Sequence, residues 1–186
     1  MSFKNIGLKE PILKALQQKG YKNPTPIQEL GISSIMKNKD VMAAAQTGTG
    51  KTACFTLPIL EILSNRNENK KSHELNALIV TPTRELAAQV HDNIKSYGKY
   101  LSLKSIAIYG GVSDLNQKLA IKKGVDIMVA TPGRLLDLYH QKAINFSKIK
   151  IFAVNIFFCI MFLFIIISTN MSISDNAYAP LAFIYN

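Results

Sequence analysis

Cysteine is nearly missing from this sequence: Cys54 and Cys159 are the only two in 186 residues. Two cannot build a disulfide framework, and the pattern fits a reducing, cytoplasmic setting. Acidic residues are also scarce, 12 against 22 Lys and Arg, for a formal net charge of +10. Charge of either sign almost stops near residue 150, because Asp175 is the only charged residue after Lys150. Residues 1–150 thus hold all 22 bases and 11 acids, a net of +11 (22 − 11). Such an excess suits a polyanionic partner such as nucleic acid; a soluble basic protein is the plain alternative. The amino end carries Lys4, Lys9 and Lys14 with no apolar stretch behind them, which argues against a secretory signal. No segment repeats itself, which argues against a solenoid. What is plentiful is apolar surface, 48% of residues, enough for the core of one domain.

Residues 45–52, A-Q-T-G-T-G-K-T, follow a short apolar run (41–44) and lead into a helix-like segment, 53–63. A strand, a Gly-rich turn ending in Lys-Thr and a helix form the phosphate-cradling P-loop arrangement. Gly48 and Gly50 permit backbone conformations in which successive N–H groups converge on phosphate oxygens. The helix N-terminus adds partial positive charge at the same point. Lys51 can neutralise the β- and γ-phosphates, and the Thr52 hydroxyl can ligate Mg²⁺. Ala45 stands where the strict pattern has Gly. A Gly/Thr-rich surface turn is the bland alternative, and the strand-before, helix-after context weighs against it.

Upstream, residues 8–19 read as a short amphipathic helix with Pro11 in its first turn, stopped by Gly20. In the connector 20–28, G-Y-K-N-P-T-P-I-Q, Pro24 and Pro26 stiffen the chain, and Thr25 with Pro26 can cap a helix starting near Ile27. Capping explains the prolines but not Gln28, whose amide can pair with an adenine edge, nor Phe3 and Tyr21, which can stack on a base. Downstream, residues 64–74 read as a solvated polar loop with His73 on the surface. Strands are expected at 76–80, 103–109, 126–130 and 150–154; after T-P-T-R a helix is expected with Leu86, Ala87, Val90 and Ile94 at helical spacing, and further helices at 114–123 and from 135 to about His140. His91 is expected to be solvated or half-buried. The alternation implies βαβ crossovers and a mainly parallel sheet with helices on both faces. In such sheets functional loops gather at the carboxyl ends of the strands. The P-loop, T-P-T-R (81–84), Gly110-Gly111 and T-P-G-R (131–134) all fall there. Arg84, Arg134 and free backbone N–H groups in these loops can grip a phosphate backbone without reading bases.

These residues together resemble the first RecA-like domain of a DEAD-box RNA helicase, most closely the bacterial RhlE-type subgroup. Phe3 with G-Y-K-N-P-T-P-I-Q resembles the Q motif, and A-Q-T-G-T-G-K-T resembles motif I, where Ala first is normal. P-T-R-E-L-A (82–87) resembles motif Ia, Gly110-Gly111 the GG element, and T-P-G-R motif Ib. The match runs over residues 1–153, read as the Q motif plus an ATP-binding RecA-like domain of α/β class, incomplete at its C-terminus. The resemblance implies adenine recognition by Gln28 with Phe3, Tyr21 and Lys22. It implies an ATP site at Ala45, Gln46, Thr47, Gly48, Thr49, Gly50, Lys51 and Thr52, with Lys51 and Thr52 serving catalysis and Thr52 the Mg²⁺. It implies a single-stranded RNA track along Pro82, Thr83, Arg84, Gly110, Gly111, Thr131, Pro132, Gly133 and Arg134. Ribosomal or RNA-degradation assemblies are the partners, and the cytoplasm the location, that such a relationship suggests. A different P-loop enzyme, such as a small-molecule kinase, conflicts with the setting of Gln28 and with the two T-P-x-R loops.

The pattern breaks after residue 154. Where the family reads D-E-A-D this chain reads N-I-F-F, residues 155–158. The chemistry needs the first acid to orient Mg²⁺ and the second to position and deprotonate the attacking water. Asn supplies no negative charge and Ile accepts no proton, so ATP binding is expected to survive and efficient hydrolysis and unwinding are not. Asp175 lies about twenty residues on, Ser168-Thr169 comes too soon for the family's S-A-T motif, and nothing matches the second domain with its arginine finger. Residues 154–186 are read as an apolar tail foreign to the family, with a composition that fits translation past a frameshift or truncation. Two alternatives stand beside this: a membrane anchor over residues 151–167, at the short limit for a span, and a compact core segment.

Overall fold

The computed structural model describes residues 2–46, 48–67, 73–155 and 181–185. Expectations that fall on residues 156–180, including the apolar run beyond Asn155, Ile156, Cys159, Ser168-Thr169 and Asp175, lie outside the described residues, as does Thr47. After a short 3-10 turn, Phe3–Ile6, the elements are α1 (Glu10–Gln18), α2 (Pro26–Met36), β1 (Val41–Ala44), α3 (Lys51–Asn67) and β2 (Ala77–Val80). They continue with α4 (Arg84–Tyr97), β3 (Ser105–Ile108), α5 (Asp114–Lys122), β4 (Ile127–Ala130), α6 (Pro132–His140), β5 (Ile151–Asn155) and β6 (Leu181–Tyr185). All ladders are parallel, in the order β1-β6-β5-β2-β4-β3.

Strands buried on both faces carry apolar side chains at every position, and here alternation sorts them into two cores. Ala77, Ile79, Ile127, Val129, Ile151 and Ala153 face α1–α4, where Ile12, Leu16, Ile32, Leu57, Leu60 and Ile94 fill the space. Leu78, Val80, Met128, Ala130, Phe152 and Val154 face the other way, onto Leu135, Leu138, Ile144 and Phe146. The α/β sheet with helices on both faces is therefore present, and every expected strand from 76 to 154 forms within two residues of its expected ends.

Three local expectations change. The helix after the P-loop begins at Lys51 and runs to Asn67, so residues 64–67 are helical rather than loop. Ser64 and Asn65 satisfy their polar groups on Glu61, to its carbonyl and its carboxylate, which lets polar residues extend the helix. T-P-G-R is not a loop but a helix start, with Thr131 at the N-cap and Pro132 in the first turn, where its missing N–H costs nothing. His73 is no simple surface residue: its Nδ1 lies 2.6 Å from an Asp126 carboxylate oxygen, and Asp126 is 1% exposed. The same oxygen also accepts the Lys104 N–H at 2.8 Å, so the buried side chain is hydrogen-bonded.

The membrane-anchor alternative loses its first five residues to β5, Ile151–Asn155, the strand between β6 and β2. Among the described residues no helix is long and apolar enough to cross a membrane. Residues 181–185 of the segment read as a foreign tail pair as β6 with both β1 and β5.

Candidate functional site

The amino end of α2 and the P-loop are fastened to each other. Thr25 and Gln28 form a reciprocal capping box, in which the Gln28 Oε1 accepts the Thr25 N–H at 3.0 Å. The same two side chains reach the P-loop: the Thr25 hydroxyl donates to the Thr49 carbonyl at 2.8 Å, and Gln28 Nε2 donates to the Gly50 carbonyl at 3.2 Å. Gln28 is 1% exposed, so its amide is spent on protein partners at both ends. Capping does ask for Gln28 after all; T-P-I-Q carries the Thr-x-x-Gln spacing of the capping box, a signal the sequence reading passed over.

Gly48 and Gly50 have φ of +83° and +85°, the left-handed region the loop requires. At Gly48 an added Cβ meets nothing within 4 Å, so the turn opens onto free space, whereas at Gly50 it lands 2.1 Å from Gln28 Nε2. Lys51 Nζ donates to the Gln46 carbonyl at 2.9 Å and to the Ala45 carbonyl, lying back across the loop. The Thr49 hydroxyl closes the turn onto the Gln46 carbonyl at 2.8 Å. Gly48, Gly50, Lys51 and Thr52 line one cleft of about 460 Å³ with Tyr21, Val80 and Val154, at the carboxyl ends of β2 and β5.

The aromatics divide the work differently from expectation. Phe3 is 4% exposed and belongs to the core, so its face is not open for stacking. It meets Tyr21 edge-on, with ring centroids 6.3 Å apart, and thereby holds the ring that lines the cleft. Tyr21 is held from its other side by Tyr97, hydroxyl to hydroxyl at 3.1 Å. Burial, then the Tyr21 hydroxyl, push the Tyr97 phenol well above its ordinary value, so Tyr97 stays protonated. Lys22 is exposed at the start of the connector.

Of the expected RNA-track residues, Arg84 and the glycine pair come together. Arg84 Nη1 donates to the Gly110 carbonyl at 3.0 Å, and Gly111, at φ +84°, leaves room for that guanidinium: a Cβ there falls 2.1 Å from Nη1. Thr83 caps α4 by accepting the Leu86 N–H at 3.2 Å, and Pro82 precedes it. Thr131, Pro132 and Gly133 present the first turn of α6 at the same sheet edge. Arg134 departs from expectation. Its guanidinium pairs with Asp114 and Asp137, and its Nε donates to Gln117 at 3.2 Å, so two carboxylates already neutralise it. Arg134 clamps α5 to α6, whereas Arg84 meets a carbonyl and, among the described residues, no carboxylate.

Cys54 packs α3 against α2, its thiol donating to the Ile27 carbonyl at 3.3 Å; burial pushes its pKa up to about 11. His91 is lowered from its ordinary value, chiefly by burial, and its Nε2 has no hydrogen-bond partner among the described residues.

The DEAD/DEAH box helicase family matches residues 25–155. The DEAD-box ATP-dependent RNA helicase RhpA of Helicobacter pylori is 48% identical over 144 residues, 77% of this chain and 28% of that protein. The ATP-dependent RNA helicase DDX42 of Xenopus laevis is 40% identical over 148 residues, 80% of this chain and 16% of that one. Among solved structures, a DEAD box protein from Methanococcus jannaschii superposes with a TM-score of 0.85 at 34% identity, over 100% of this chain and 50% of that one. The chain thus spans less than a third of these curated relatives. With its P-loop fastened to the Thr25–Gln28 turn and Arg84 set against Gly110-Gly111, this chain belongs to the DEAD/DEAH box helicase family, with the fold of its first RecA-like domain.

Proposed function

We propose that this domain binds ATP with Mg²⁺ in the P-loop cleft and single-stranded RNA backbone along the loops at the same sheet edge, and that hydrolysis and unwinding are weak or lost in this chain. The observation that carries the reading is the direct bonding of Gln28 and Thr25 to Gly50 and Thr49, which makes the base-side and phosphate-side residues one unit. The residues fit the nucleotide. The turn at Gly48 is open, α3 begins at Lys51 so that its amino end adjoins the loop, and Lys51 can trade its carbonyl contacts for phosphate oxygens. Thr52, first in line after that lysine, would hold Mg²⁺. Among the described residues no group of three His, Cys, Asp or Glu forms a metal site, which suits an ion carried by phosphates. When bound, Mg²⁺ supplies charge neutralisation at the β- and γ-phosphates.

Gln28 selects adenine by turning one end of its amide outward while the other keeps the capping contact, and Tyr21 offers the ring face. Arg84 and the N–H groups at Thr131–Gly133 grip phosphates, which reads RNA without reading its sequence. Asn155 at the end of β5, in place of an acid, is the ground for proposing that turnover is weak. The finer placement in the RhlE-type subgroup rests on the motif set, and location in the cytoplasm on the RNA partner and the reduced Cys54. Titrating the chain with a fluorescent ATP analogue tests this. Binding that ATP displaces, GTP does not, and Lys51→Ala weakens about tenfold or more is the expected result. No adenine nucleotide binding by the folded chain overturns it.

A further inference from the structure

At the opposite, amino-terminal edge of the sheet lies a second cleft of about 640 Å³. Its floor is aliphatic, made by Leu75, Ile121, Val125 and Ile144. Lys118, Lys122 and Lys148 also line it, against Glu74 as the only carboxylate among its described lining residues. Among the described residues neither Lys122 nor Lys148 is paired with a carboxylate, while Lys118 meets Asp114 at 2.7 Å. The cleft has a fixed wall, because His73 is tied to the buried Asp126 and Gly124 packs against the His73 backbone too closely for a Cβ, at 2.5 Å.

The same helix carries a second, independent oddity. Leu115 and Leu119 are 65% and 47% exposed, and with Val112 beside them in sequence they make three of the six large exposed hydrophobics among the described residues. At about 100° per residue, Leu115 and Leu119 lie next to Lys118 and Lys122 around α5, on the side away from Ile121. The surface therefore runs from an aliphatic trough, over a row of cations, to an aliphatic ridge. Exposed apolar strips rimmed by charge mark interaction sites.

We propose that this face docks a partner protein through an acidic segment bearing aliphatic anchors, one anchor entering the trough and another meeting Leu115 and Leu119. Charge complementarity selects the acid. The described lining residues include no Phe, Tyr or Trp, and the His73 imidazole is held by Asp126, which weighs against RNA, whose bases bind by stacking on such rings. Since the cleft lies at the edge away from the P-loop, a partner held here stays on while nucleotide comes and goes.

Fluorescence anisotropy of the full chain with a labelled peptide of roughly twelve residues, alternating Glu with Leu at helical spacing, tests the proposal. The expected result is saturable binding, weakened about tenfold by Lys122→Glu with Lys148→Glu and also by Leu115→Ser with Leu119→Ser, and unchanged by saturating ATP. Both double variants sit on the surface, and unchanged ATP binding confirms that they fold. Absence of binding overturns the proposal. So does equal binding of an all-Glu peptide, which reduces the face to a cation patch, or displacement of the peptide by oligouridylate with the same variant sensitivity, which assigns it to RNA.

Discussion

Replacing Gln28 by Ala separates two roles that the site combines, contact with the base and fastening of the loop. In the structure its amide accepts the Thr25 N–H and donates to the Gly50 carbonyl, both half-buried. Each lost bond is worth about 0.5–1.5 kcal/mol where water reaches the deserted group. With the lost packing of a buried side chain, the sum is about 2 kcal/mol before any nucleotide is added. For a domain of this size 1 kcal/mol moves Tm by about 2–4 °C, so Gln28→Ala should melt roughly 4–8 °C lower by circular dichroism without ligand. Gln28→Glu keeps the acceptor for Thr25 but sets a carboxylate oxygen against the Gly50 carbonyl. It should be at least as destabilising near pH 8, and less so near pH 5, where a protonated carboxyl can donate. A ligand-free Tm unchanged in Gln28→Ala, with ATP affinity nonetheless lost, refutes the fastening role and leaves Gln28 a ligand contact only.

The two arginines at the RNA edge should part company. Arg84→Gln is expected to lower the slope of RNA affinity against salt by about one, whereas Arg134→Gln leaves that slope and lowers Tm, since Asp114 and Asp137 lose their cation. An equal change of slope in both, read by anisotropy over a salt series, contradicts the clamp assigned to Arg134. Gly111→Ala should weaken RNA binding as Arg84→Gln does, because its Cβ takes the place of the guanidinium at a positive φ. Cys54, raised from 9.0 to about 11 by burial, keeps its full contribution to stability below pH 9 and loses it as pH rises through 11. The stability gap between the protein and Cys54→Ala should therefore shrink over that window, by about 3 kcal/mol at most, and alkylation of Cys54 in a Cys159→Ser background should be slow at pH 8.

The sheet was legible because its strands are short, apolar on both faces and followed at once by helix starts, so period and punctuation agree. The nucleotide loop was legible because phosphate binding constrains backbone, and glycines at positive φ leave a mark in the sequence. Gln28 was only half legible: a capping box and a base contact ask for the same residue, and sequence shows one letter. Arg134 misled because its neutralisers, Asp114 and Asp137, sit on two helices, and only the first lies far away in sequence. His73 and Asp126 are 53 residues apart and meet only because α4, β3 and α5 fold between them. The place of β6 between β1 and β5 has no local signal at all, since parallel pairing is decided by neighbours distant along the chain.

That sheet order also places Asn155, the residue on which the proposed loss of turnover rests. Asn155 and Ala43 both pair with Ile184, so they lie on one row across the sheet with a single strand between them. Two strand spacings are about 10 Å, and β1 ends one residue later, where the P-loop begins. That row sets the end of β5 at the same carboxyl edge of the sheet as the P-loop, whose Thr52 would hold Mg²⁺ in the proposed function. Asn155 offers such an ion no charge. Asn155→Asp should therefore raise the Mg²⁺ dependence of ATP affinity, on the order of tenfold for one added charge-assisted contact. It should leave turnover low, because residue 156 is still Ile and accepts no proton from water. Nucleotide titrations with and without Mg²⁺, beside a phosphate-release assay with RNA, read the two effects separately. Robust RNA-stimulated release by the unaltered chain refutes the weight placed on Asn155, and an Asp variant with unchanged Mg²⁺ dependence refutes a role for this position in holding the ion.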